Sequence, residues 1–219
     1  MNQRGPVVLD LPFRGSWLVQ NSPGRRVPSH GTRLFGVTYA IDFVAVDSRG
    51  RSGLRRRRML ATESPDLFVG FGAPILAPAC GTVVDVHDGE IDHAARRSPL
   101  TLLPYALGQA GRVRAGIDAV AGNRVVISLG PEGPFVAVVH LRRGSVSAVA
   151  GASVRAGDQV GECGNTGNST EPHVHVQVTD SLDWATCQGL PMLFRRPAAD
   201  SPAGAGELWM PAESEIVHA

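Results

Sequence analysis

Apolar positions along this chain come in short blocks, separated by Gly, Pro and polar turns, and most blocks alternate with a period of two. In "TYAIDFVAVD" (38–47), Tyr39, Ile41 and Phe43 alternate with Ala40 and Asp42, which predicts a strand. Ile75-Leu76 and Val83–Val86 predict two short strands joined by the turn "APACG". The C-terminal half is denser: "NRVVISLG", "FVAVVHLRRGS", "GASVRAGDQVGECG" and "HVHVQVTD" are β-rich and divided by glycine. Val154 and Val160 flank "RAGD", which reads as a hairpin-like turn. No period of 3.6 is sustained there. Residues 90–118 are irregular, with room for a short helix. The expected fold is all-β: a compact, twisted antiparallel β-sandwich or barrel-like sheet with long loops and few short helices. One domain is expected over residues 30–195. Residues 1–29, with "NSPG" as a closing turn, read as two edge strands or extended pieces packed on it, and 196–219 as a tail.

Composition narrows the class. The chain has 219 residues and 43% hydrophobic content, enough for one buried core. Aromatics are scarce at 5%, whereas 26 glycines and 16 prolines suit a turn-rich β fold. A formal net charge of +1 gives no reason to expect a nucleic-acid partner. The four consecutive arginines Arg55–Arg58 read as a solvated loop. No apolar run is long enough to span a membrane, and the N-terminus has no signal-peptide core, so a cytoplasmic monomer is expected. A role outside the cell or at the wall would then require another export route. Cys80, Cys163 and Cys187 cannot all pair and form no Cys-x-x-Cys, so they read as reduced, small apolar residues.

Candidate chemistry lies in the histidines. His173 and His175 sit at i and i+2 in "PHVHVQV", so both point to one face of a strand while Val174 and Val176 point to the other. By the strand rise, the two imidazoles stand about 6–7 Å apart. His140 closes "FVAVV", whose alternation would bury it. Asp42, between Ile41 and Phe43, puts a carboxylate where burial is costly unless it is paired or bound to a cation. Together these residues offer one oxygen and three nitrogen groups, a set that suits zinc with one position open for water.

These stretches resemble the lysostaphin-like (LytM-like) zinc metallopeptidases. The resemblance rests on "GAPILAPACGTVV", on "FVAVVHLRRGSV", and on "VRAGDQVGECGNTGNSTEPHVHVQV", and spans about residues 28–195. It implies a duplicated hybrid β motif, one Zn2+ per chain, and hydrolysis of peptide bonds in peptidoglycan stems or cross-links. It also implies that Asp42 and His175 are metal ligands and that His140 and His173 handle protons and stabilise the oxyanion. The family's first motif is His-x-x-x-Asp, but Thr38 stands four residues before Asp42. His30 is the expected substitute ligand, with His87 and His93 behind it. Asn165 and Asn168 read as left-handed turn residues, Glu171 as a weak candidate base, and His218 as part of a disordered end. Loops 48–70, 88–122 and 181–197 are expected to wall the groove.

Two other readings compete. A degenerate member of the fold would bind a glycan or protein without catalysis, and metal content separates it from the enzyme. "GTVVDV" and "VRAGDQVGE" also suit carrier-domain hairpins. All 21 basic residues are arginine, which excludes a lysine-attached cofactor and leaves only a phosphohistidine carrier, for which Asp42 has no use.

Overall fold

The structure is a computed structural model that describes residues 5–53, 62–197 and 206–219. The four-arginine run lies outside those residues. An eight-stranded sheet forms the body, with strand order β13-β2-β3-β10-β7-β6-β5-β8. Its members are β2 (Ser16–Gln20), β3 (Ile41–Ala45), β5 (Gly81–His87), β6 (Asn123–Ser128), β7 (Phe135–Leu141), β8 (Ser153–Val154), β10 (Val174–Thr179) and β13 (Ile216–His218). Every pairing within it is antiparallel. A three-stranded sheet joins β1 (Val7–Leu9), β11 (Met192–Arg195) and β12 (Leu208–Trp209), and β4 (Pro74–Leu76) pairs with β9 (Gln159–Glu162). The fold is all-β in essence, with open rather than closed sheets.

Alternation assigns the faces. Val19, Ile41, Phe43, Val125, Ile127, Val136, Val138, Val174, Val176 and Val178 point to one face and build the main core. Leu9, Met192 and Phe194 of the small sheet pack against them, and the Phe43 and Phe194 rings meet edge-on at 5.6 Å. Full burial of each large apolar side chain contributes about 1.5–3 kcal/mol. The opposite face carries a smaller cluster, Val126, Ala137 and Val139, capped by Ala121 and Ile117. Asp42, His175 and Gln177 share this second face, beyond the cap.

Several expectations need correction. Residues 99–121 form three helices, α1 (Pro99–Leu107), α2 (Gln109–Ala115) and α3 (Ile117–Ala121), rather than one short helix. The strand expected from residue 38 begins at Ile41, because Leu34–Tyr39 forms a 3-10 segment. Val154 and Val160 do not form a hairpin: β8 pairs with β5, and β9 pairs with β4. β2 is not an edge, since β13 covers it. His218 lies in β13, where its Nδ1 is 2.9 Å from the Ser16 hydroxyl, so the expected disorder is absent there. Among the described residues no helix is long and apolar enough to cross a membrane, and all three cysteines are unpaired.

Candidate metal centre

The ladder delivers two of the candidate ligands. Asp42 on β3 is the direct cross-strand partner of His175 on β10. Opposed residues on one face stand close enough for their side chains to meet, and His175 Nδ1 lies 2.8 Å from Asp42 Oδ1. Both side chains are buried. His173, just before β10, projects to the same side, with its Nε2 3.7 Å from Asp42 Oδ1.

His30 arrives by a loop. The Ser29 amide donates to the Thr38 carbonyl at 3.0 Å, and its hydroxyl donates to the Val37 carbonyl at 3.2 Å. This closure folds the segment back on itself, through left-handed Phe35 (φ 55°) and Gly36 (φ 73°). A Cβ on Gly36 would sit 2.5 Å from Thr179 Cγ2 and 3.0 Å from Cys187 Sγ, so only glycine lets the loop lie against β10. His30 Nε2 ends 3.1 Å from Asp42 Oδ2. The position four before Asp42 is filled by Thr38, whose backbone rather than side chain serves the site.

His140 reaches the site through a bulge. In the β6–β7 ladder Arg124 pairs with Val139 and Asn123 with Leu141, so His140 is the unpaired residue. It takes a left-handed backbone (φ 64°), rare for a residue with a side chain. Strict alternation would send His140 to the main core with Val136 and Val138. The bulge turns it to the other face, and Leu141 takes the core position instead. The His140 ring lies 4.7 Å from that of His173 and 5.8 Å from that of His175.

Hydrogen-bond partners assign the tautomers. His140 Nδ1 donates to the Thr166 carbonyl at 2.8 Å and His173 Nδ1 to the Glu171 carbonyl at 2.8 Å, so each Nε2 carries a lone pair. The Ser29 hydroxyl gives its proton to Val37, so its oxygen accepts from His30 Nδ1 at 3.0 Å, leaving His30 Nε2 unprotonated. Gln177 Nε2 donates to the Phe35 carbonyl at 2.7 Å, which turns its Oε1 to accept from His175 Nε2 at 3.0 Å. His175 Nδ1 is then also a lone-pair donor. Three lone-pair atoms thus face one another with no proton assigned between them, and a cation in their midst would relieve the repulsion. Ligand atoms from His30, Asp42 and His175 all lie within 4.8 Å of one another. Zinc bonds of about 2.0–2.1 Å place tetrahedral ligand atoms roughly 3.3 Å apart, close to the 2.8 and 3.1 Å that separate Asp42 oxygens from His175 Nδ1 and His30 Nε2.

The electrostatics agree. Burial alone would raise the Asp42 pKa, but the imidazoles of His30 and His173 beside it, and its close contacts with His175 and His30, outweigh it. They hold the carboxylate well below its usual range. Burial, then the neighbouring His173 and His175, push His140 well below the ordinary imidazole value, against Asp42 and the Thr166 carbonyl. His140 is therefore neutral near pH 7.

The sequence model of peptidase family M23 matches residues 105–185, the stretch that contains His140, His173 and His175. Over that stretch the chain is similar to the M23 peptidases. The His30, Asp42 and His175 donor set is of the kind that binds zinc. Similar solved structures include the catalytic domain of the antimicrobial peptidase lysostaphin from Staphylococcus simulans. It is 19% identical over 69% of this chain and 74% of that one, with a TM-score of 0.37. A catalytic-domain mutant of the prophage-encoded M23 protein EnpA from Enterococcus faecalis is 18% identical over 92% and 95%, at a TM-score of 0.42. The M23 metalloprotease pseudoalterin, from the deep sea, is 12% identical over 96% and 95%, at 0.40. His30 and Asp42 precede the matched stretch and join it only through the loop and the ladder.

The remaining candidates lie elsewhere. His87 faces Glu90 at 3.3 Å, and His93 Nε2 donates to the Gly167 carbonyl at 2.9 Å. Neither lines the cavity over the site. Asn165 and Asn168 are not left-handed; Gly167 is. Asn165 braces Ser169 and His93, and Asn168 accepts from Arg112. Glu171 lines the cavity and accepts from the Ser52 hydroxyl at 2.8 Å. Of the three expected walls, only 88–122 contributes described lining residues. Three residues escaped the sequence reading: Asn21, which donates to Asp42 Oδ2 at 2.7 Å, Ser29 and Gln177. Gln177 carried a usable signal, being polar at i+2 from His175 on the same strand face.

Proposed function

We propose that this chain is a zinc-dependent metallopeptidase of the M23 kind, an endopeptidase acting on the peptide stems or cross-links of peptidoglycan. In this reading His30, Asp42 and His175 hold the ion, and His140 and His173 handle the protons. The convergence of three unprotonated ligand atoms, each backed by its own polar partner, carries it. Zinc bound there supplies Lewis acidity toward water and the scissile carbonyl.

The chain supplies the rest. His140, neutral and with Nε2 free, accepts a proton from the attacking water and returns it to the leaving amine. His173, fixed by Glu171 and Ser169, holds its Nε2 beside Asp42 and steadies charge developing on the carbonyl oxygen. The family's usual histidine is missing at position 38, yet His30 sits 3.1 Å from Asp42, so the departure does not favour a non-catalytic binder.

The test is to digest purified peptidoglycan with zinc-loaded protein and analyse the products by mass. New amino termini are expected, and they should disappear with chelator and return with zinc. Intact muropeptides in the presence of fully zinc-loaded protein would overturn the proposal.

A further inference from the structure

A cavity of about 330 Å³ opens above the metal centre, within the range of sites that enclose small ligands. Five apolar side chains line it: Leu34, Phe35, Val37, Val113 and Val120. None belongs to, or packs on, either hydrophobic cluster of the fold, and Leu34 is 55% exposed. Apolar side chains gathered around the reacting centre, without a role in the core, mark a surface made for an apolar partner.

Both walls are held firmly. The 34–37 wall hangs on β10 through the Gln177–Phe35 hydrogen bond at 2.7 Å. The 113–120 wall is tied to the 165–169 loop by Arg112 to Asn168 at 2.9 Å and by the Asn168 amide to the Val120 carbonyl at 2.8 Å. There Gly122 and Gly167 pack so closely that a Cβ on Gly167 would lie 2.5 Å from the Gly122 nitrogen. The charge pattern adds a second argument. Among the described residues lining the cavity the only ionic side chains besides the histidines are Asp42 and Glu171, and no arginine is present. A substrate carboxylate would meet no counter-charge, and its desolvation would go unanswered.

We propose that these five residues form a subsite that selects an uncharged, apolar side chain beside the scissile bond, rather than glycine or an acidic residue. The proposal rests on the peptidase reading of the same centre. An apolar side chain here removes its own surface and that of both walls from water, and pocket contacts of one methylene discriminate by about 10–200-fold.

The experiment uses the zinc-loaded full chain and blocked pentapeptides, acetyl-Ala-Ala-Xaa-Ala-Ala-amide, with Xaa as Gly, Leu or Asp. Affinity is measured by calorimetry, cleavage by mass spectrometry, and zinc content for every variant. The Leu peptide is expected to bind at least about tenfold tighter than the Gly peptide, and Asp weakest. Val113→Gln and Val120→Gln should each pull the Leu/Gly ratio toward one with zinc content retained. Arg114→Gln, exposed on α2 and outside the cavity, should leave the ratio alone. Equal affinity for Leu and Gly, or a ratio unmoved by both valine variants, would overturn the subsite. Binding in the predicted order keeps the subsite whether or not these peptides are cut, and intact muropeptides alone sink the endopeptidase reading; cleavage without Leu preference keeps that reading and sinks the subsite.

Discussion

Asp42 and His175 meet along an uninterrupted ladder, whereas His30 and His140 reach the same point through irregular backbone. The first pair is a consequence of register: once β3 and β10 align, the two side chains have no other place to go. The second pair depends on a loop closed by Ser29 and a bulge with φ of 64°. Such features persist only where surrounding contacts enforce them. The contrast teaches that half of this centre comes with the fold and half is held by a few polar contacts, which are open to targeted disruption.

The bulge gives the largest expected effect. His140→Ala should lower kcat by about 10²–10⁴-fold while zinc content and the far-UV spectrum stay unchanged, because in the proposed mechanism the imidazole transfers protons rather than holding the fold. A wild-type rate in the variant would move the base elsewhere. The loop comes next. Gly36→Ala drives a methyl into Thr179 and Cys187, so the loop must lift and carry His30 away. A zinc-affinity loss of tenfold or more is expected by competition titration, with about 1–3 kcal/mol of stability. Gly31→Ala is the matched control, with a similar φ of 72° and nothing within 4 Å; it should cost strain without affinity.

These contrasts also mark what the sequence disclosed. His-x-His at i and i+2 and a carboxylate between two apolar strand residues are patterns of period two, and both survived in the structure. His30 was reached only through resemblance, because no local pattern says that a loop will close on Asp42. The bulge at His140 has no sequence signature: left-handed backbone there is imposed by neighbours, and "FVAVVHL" alternates as though His140 belonged in the core. β13 was missed because "EIVHA" is too short to pattern, and the helices of 99–121 because Pro99, Pro104 and several glycines mask any period.

Smaller effects sharpen the same comparison. Gln177→Leu removes both the acceptor for His175 and the tether to Phe35, joining the regular half to the irregular one. Zinc affinity should fall by about 10–100-fold, the range for partners of metal-bound histidines; an unchanged affinity would show that His175 needs no orienting partner. The smallest effect is on acid stability of the zinc-free protein. Both Asp42 and His140 have folded-state pKa values below their ordinary ones of 3.8 and 6.5. The unfolded chain therefore binds more protons, and the stability these groups contribute is complete above pH 6.5 and declines as pH falls. His140→Gln should flatten the part that begins near 6.5, as read from denaturant midpoints.

The account stands or falls on whether His30, supplied by the loop, completes the ion's binding set. Zinc per chain measured on purified wild-type protein beside His30→Ala and His93→Ala decides it. One equivalent in wild type and His93→Ala, with loss in His30→Ala, is the predicted result. Full occupancy in His30→Ala would contradict it.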